Sequence, residues 1–90
     1  MRLDVFLKQS RIVKRRAMAK ELCEDGAVNV NGRQARAGKE VSVGDRLSLR
    51  LWSRLLEIEI EQIPGRAPSK AESRDMYRLL SEKRVEEEDS

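Results

Sequence analysis

Seven cationic side chains fall within the first twenty residues: Arg2, Lys8, Arg11, Lys14, Arg15, Arg16 and Lys20. One acid, Asp4, stands among them, so this stretch carries +6 while the whole chain carries +3. Charge of one sign at this density is the footprint of a polyanion site. A face that served only solubility would intersperse acids, and this one does not. Guanidinium forks and ammonium groups bind phosphate oxygens, which reports backbone geometry more than base sequence. Arg2, Arg11, Lys14, Arg15, Arg16 and Lys20 are therefore the candidate nucleic-acid-binding residues. A membrane surface is the lesser partner, because it needs Trp, Phe or Leu along an amphipathic helix. The one tryptophan of the chain lies far away, at position 52.

Other chemistries lack their residues. Histidine is absent, which removes the commonest general base and metal ligand. Cys23, the single cysteine, has no disulfide partner, no histidine to activate it and no companions for a zinc site. It is expected to pack as a small hydrophobe in a reducing, cytoplasmic compartment. The densest carboxylates lie on an alternating strand, LLEIEIEQI, and in the C-terminal run Glu86-Glu87-Glu88-Asp89. The glycines are scattered and form no phosphate loop. No catalytic, cofactor-binding or metal residue is assigned, and no enzyme is expected. The aromatics Phe6, Trp52 and Tyr77 are also scattered, unlike readers that stack bases on a sheet. Recognition is then expected to lean on phosphate and shape.

Ninety residues make one small domain with a modest core. Nothing in the chain resembles a membrane span or a signal peptide. Leu3, Phe6 and Leu7 share one face of a helix over about 3–9. A second helix fits about 14–25, in KRRAMAKELCED, burying Ala19, Leu22 and Cys23 and ending at Gly26. Lys14, Arg15 and Arg16 then crowd its first turn, where the helix dipole disfavours cations and bound phosphate would reverse the sign. Val28 and Val30 alternate into Asn31-Gly32, a type I′ hairpin signal. After a Gly44-Asp45 turn, Leu47, Leu49 and Leu51 alternate with Arg46, Ser48 and Arg50. Trp52-Ser53-Arg54 connects to Leu56, Ile58 and Ile60, which alternate with Glu57, Glu59 and Glu61. The two runs predict an antiparallel pair with arginines facing glutamates. Pro64-Gly65 ends the sheet. Ser69 and Glu72 form a capping box for a third helix over about 69–84, followed by an acidic, disordered tail over 86–90. Residues 51–90 hold seven bases and ten acids, a reversal of the N-terminal charge.

The order of helix, basic helix, Asn-Gly hairpin, Gly-Asp turn and strand pair runs through RLDVFLKQSRIVKRRAMAKELCEDGAVNVNGRQARAGKEVSVGD. This stretch resembles the alpha-L RNA-binding domain known from ribosomal protein S-four, over about residues 2–51. The resemblance implies an α+β fold: two short helices packed on a small, mostly antiparallel sheet across residues 1–63, with a linker and C-terminal helix over 64–85. The opening MRLDVFLKQSRIVKRR and the late MYRLLSEKR are similar to the ribosome quality control P factors of bacteria, with Lys83 in place of a glutamate. That family implies binding to large ribosomal subunits obstructed by peptidyl-tRNA. It also implies contacts to ribosomal RNA and the P-site tRNA, and support of an alanine-tailing protein on the same subunit. By motif position Arg2, Arg15 and Arg16 are its RNA contacts, with Lys14 and Lys20 nearby. A monomer without cofactors is expected. The alternatives are a heat-shock-type alpha-L protein that rescues peptidyl-tRNA on free large subunits, and a protein-interaction adaptor using the C-terminal segment. The short acidic C-terminus favours the quality-control family over the heat-shock type, which usually carries a longer basic extension.

Overall fold

The computed structural model describes residues 1–85. The expected acidic tail over 86–90 lies outside these residues. Helix α1 spans Leu3–Gln9 and helix α2 spans Arg16–Glu24. Strands β1 (Val28–Val30), β2 (Arg33–Gln34), β3 (Arg46–Leu51), β4 (Arg54–Ile60) and β5 (Tyr77–Arg84) form one sheet in the order β2-β1-β3-β4-β5. Every neighbouring pair is antiparallel. A one-turn helix, α3 (Lys70–Arg74), precedes β5.

The local signals place most of these elements. Leu3, Phe6 and Leu7 are fully buried at i, i+3, i+4 and face the alternating Val28, Val30, Leu47, Leu49, Leu51, Ile58 and Ile60 in one core. Each such Leu, Ile or Phe contributes about 1.5–3 kcal/mol of apolar burial. Asn31 and Gly32 have φ of 52° and 86°, the pair of positive values that an Asn-Gly hairpin turn needs. Gly26, at φ 76°, stops α2, and Ala27 N–H then returns to the Leu22 carbonyl. Ala19 and Cys23 are buried on α2, and Leu22 is half-buried. Burial, with the negative charges of Asp4 and Glu24, pushes the Cys23 thiol up to about 11. A thiol held neutral in this way is a core group.

Two expectations change. Helix α2 begins at Arg16, with Arg15 extended at its N-cap, so Lys14 and Arg15 lie on the approach to the helix. The chain leaves α1 through Arg11 at φ 66° and dips to bury Val13, whose N–H reaches the Leu7 carbonyl at 3.1 Å. Sinking Val13 delays the helix start past Lys14 and Arg15.

The second change is larger. Residues 77–84, expected to continue a third helix, form strand β5. The capping box at Ser69 and Glu72 is present, but its helix ends at Arg74. Tyr, Leu, Glu, Lys and Arg leave the local preference weak, and the open edge of β4 decides it. Pairing from Ile60↔Tyr77 to Arg54↔Arg84 satisfies backbone groups that β4 would otherwise expose. Charge pairs reinforce it: Arg54 to Glu82 at 2.8 Å, and Arg78 to Glu59 at 3.3 Å and Glu61 at 3.6 Å. Across β3 and β4 one expected arginine–glutamate pair forms, Arg46 to Glu59 at 3.9 Å, while Arg50 faces Leu55. The C-terminal segment is thus built into the sheet. Buried Ser73 fastens it to α1, its hydroxyl donating to the Gln9 carbonyl at 2.8 Å.

One charged group lies fully inside. Asp4 is 0 % exposed. Its Oδ2 accepts from Arg16 Nε at 3.0 Å, and its Oδ1 accepts from Arg2 Nε at 3.2 Å and Val5 N–H at 2.9 Å. Asp4 N–H donates to the Ala37 carbonyl and Leu3 N–H to the Lys39 carbonyl, which docks the start of α1 on the loop before β3. The carboxylate therefore joins α1, the first residue of α2 and, through its own backbone, that loop. Burial works to raise its pKa, but the hydrogen bonds and charges of Arg16 and Arg2 outweigh it and hold the carboxyl below its ordinary value.

A depressed pKa makes folding pH-dependent. Stabilisation by ionised Asp4 is complete above the unfolded-state value of about 3.9 and is lost as pH falls through the lower folded-state value. Asp4→Asn is expected to lower the unfolding free energy by about 1–3 kcal/mol at neutral pH. The gap from wild type should narrow as urea titrations are repeated at increasingly acidic pH, and a gap independent of pH would contradict the assignment. Ser73→Ala, which orphans the Gln9 carbonyl, should lower the urea midpoint by the equivalent of about 1–2 kcal/mol. An unchanged midpoint would show that the tie to α1 carries no stability.

Candidate nucleic-acid interface

The six candidate cations lie on or beside α1 and α2, and all are exposed. They divide into two kinds. Arg2 and Arg16 share the buried carboxylate of Asp4, yet each side chain remains 48 % exposed. Arg16 engages Asp4 through Nε, which leaves its two Nη groups free of hydrogen-bond partners among the described residues. Two guanidinium groups against one acid leave a net positive charge, and the shared anchor restricts where their outer N–H groups point. Arg11, Lys14, Arg15 and Lys20 form no salt bridge among the described residues.

Local backbone geometry brings these side chains forward. Arg11 follows the last residue of α1 and its cap with φ 66°, in the left-handed region where glycine is favoured. Arg15 is the N-cap of α2 and supplies no side-chain acceptor, and no acid stands in the first turn. Helix starts normally take Ser, Thr, Asp or Asn at this point. The first turn has no side-chain cap and the cations beside it are exposed, an arrangement suited to phosphate oxygens. Lys8, Arg11 and Lys14 also line a shallow groove of about 440 Å³ with Gln9, Pro68 and Ser73. Gln9 Oε1 is a buried acceptor without a partner among the described residues.

Three further cations lie beside this cluster. Arg33, Arg36 and Lys39 are exposed around a concavity of about 640 Å³ lined also by Asn31, Gln34 and Gly38. Gly38 lies against the Arg2 guanidinium: a Cβ added there would sit 3.6 Å from Arg2 Nη2. The loop therefore extends the positive surface from α1 toward β2. A charge count over residues 31–40, with three bases against Glu40, carries the signal for it. Among the described residues there is no cluster of His, Cys, Asp and Glu that could hold a metal, and no helix is long and apolar enough to cross a membrane.

Comparison with known proteins agrees with this architecture. The S4 domain family matches residues 1–47. The RQC P-site tRNA stabilizing factor of Bacillus subtilis is 39 % identical over 87 residues, covering 97 % of this chain and 100 % of that protein. The factor of the same name from Halalkalibacterium halodurans is 42 % identical over 85 residues, 94 % of this chain and 96 % of its own. Among solved structures, Heat Shock Protein 15 of Vibrio cholerae, described as trimeric, superposes with a TM-score of 0.82 at 32 % identity, over 90 % of this chain and 82 % of that one. The chain belongs to the S4 domain family, alongside the members named RQC P-site tRNA stabilizing factors.

Proposed function

We propose that the protein is a non-enzymatic RNA-binding factor of bacterial ribosome-associated quality control, acting in the cytoplasm as a monomer. It binds large ribosomal subunits obstructed by peptidyl-tRNA and holds the P-site tRNA in place while a partner protein on the same subunit adds alanine to the nascent chain. The observation that carries this reading is the set of exposed cations at the start of α2, where no side chain caps the helix and no acid stands in the first turn. Phosphate groups supply the missing negative charge. The names of the Bacillus subtilis and Halalkalibacterium halodurans relatives support the choice of tRNA.

The mechanism is placement. Arg2 and Arg16, aimed by Asp4, hold phosphates in fixed positions, because the anchored guanidinium groups lose little freedom on binding. Arg11, Lys14, Arg15 and Lys20 add contacts whose strength depends on counterion release. Arg33, Arg36 and Lys39 widen the footprint. Proton transfer and covalent intermediates have no place in this mechanism. A second reading, rescue of peptidyl-tRNA on free large subunits, is favoured by the likeness to Heat Shock Protein 15. The two diverge in cells: loss of the protein should abolish alanine tails on stalled chains only under the first.

Arg15→Ala tests the interface more cleanly than Arg16→Ala, because Arg16 also pairs with buried Asp4. The variant should keep wild-type stability and co-sediment more weakly with large subunits. Affinity should fall linearly with the logarithm of salt concentration, and Arg15→Ala should flatten that slope by about 1. Undiminished co-sedimentation with an unchanged slope would reject the interface and favour an adaptor that binds protein.

A further inference from the structure

Trp52 occupies a position that local energetics disfavour twice. It lies in the turn between β3 and β4, 77 % exposed to solvent. Its backbone sits at φ 48°, the left-handed region that a bulky residue rarely adopts and glycine adopts freely. Neither burial nor turn geometry accounts for an aromatic ring there. A residue that breaks local preference without a structural return marks a place of function.

The neighbouring strands supply the other half of a binding surface. Arg50, Leu55 and Lys83 stand opposite one another on β3, β4 and β5, in the last rungs before the turn. Leu55 is 42 % exposed between the two cations. Both cations are exposed and form no ion pair among the described residues, whereas nearby Arg54 is taken by Glu82 at 2.8 Å. A flat aromatic ring, an exposed aliphatic patch and flanking positive charge are the parts of a single-strand binding surface: the ring stacks on a base and the cations hold the backbone.

We propose that the β3–β4 turn is a second RNA contact, with Trp52 stacking on an unpaired base and Arg50 and Lys83 holding the phosphates beside it. The contact rests on the RNA-binding reading above and extends it from phosphate recognition to a preference for an unpaired nucleotide. It also gives the sheet end remote in sequence from the basic helices a share in positioning the RNA.

The single tryptophan makes the test direct. Trp52 fluorescence should be quenched by a short oligoadenylate and not by a blunt RNA duplex of equal length. Trp52→Gly, which suits the left-handed backbone, should melt at the same or a higher temperature and bind labelled oligoadenylate about 5- to 100-fold more weakly. Trp52→Phe should retain most of the affinity. Equal binding by Trp52→Gly, or equal quenching by duplex and single strand, would overturn the contact. So would a spectral shift seen only with phosphatidylglycerol vesicles, which would assign the turn to lipid. Co-sedimentation with large subunits separates the two readings. If the wild type binds neither subunits nor RNA, both fail; if Trp52→Gly binds oligoadenylate as the wild type does, only the turn contact fails.

Discussion

The buried carboxylate of Asp4 is the interaction on which the rest depends. A charge taken out of water is tolerated only when it is paired and hydrogen-bonded, and Asp4 is both. Its partners lie at the start of α1 and the first residue of α2, so satisfying the carboxylate fixes the relation of the two helices. The same contacts orient Arg2 and Arg16 and leave their outer edges in solvent. A single ion cluster is therefore both the internal cross-link of the domain and the frame of its positive surface. The lone acid in a strongly basic stretch is what allows so many cations to gather without the helices being driven apart.

Around that cluster the charged residues divide by role. Glu59 on β4 and Glu61 just past its end are engaged from β3 and β5, by Arg46 and Arg78. These pairs are exposed and contribute little each, but they help set strand order and register. Arg11, Lys14, Arg15 and Lys20 have no such partners among the described residues. The chain thus pairs several charges along the middle of the sheet and leaves Arg11, Lys14, Arg15 and Lys20 open beside the helices. That asymmetry, more than net charge, distinguishes a binding face from a solubilising one.

Much of this was legible in the residues because the signals were local. Alternating apolar residues marked β1, β3 and β4, the spacing of Leu3, Phe6 and Leu7 marked α1, and Asn31-Gly32 and Gly26 marked a turn and a helix end. Resemblance to the alpha-L domain supplied the packing order. Strand β5 escaped because its residues suit either state, and the deciding factor was an unpaired edge on β4, remote in sequence. Similarly, Asp4 was visible as an exception to the charge pattern, but its burial depends on the loop at Ala37 and Lys39. Lys14 and Arg15 were expected inside the helix because nothing local announced that Val13 would be drawn into the core. The trio Arg33, Arg36 and Lys39 gives a fainter signal, because three cations spread over a loop are less dense than the seven of the N-terminal run.

The tie between Ser73 and the Gln9 carbonyl bears on the order of events during translation. Helix α1 is made first, yet its first amides bond to Ala37 and Lys39 and its last carbonyl to Ser73. As the chain grows, α1 must wait for a residue 64 positions beyond Gln9 before its docking is complete. The strand hairpins, whose partners are near in sequence, can close while α1 is still unmoored. The frame that aims Arg2 and Arg16 closes once the loop at Ala37 and Lys39 has been made, whereas the end of α1 at Gln9 stays untied until Ser73 arrives.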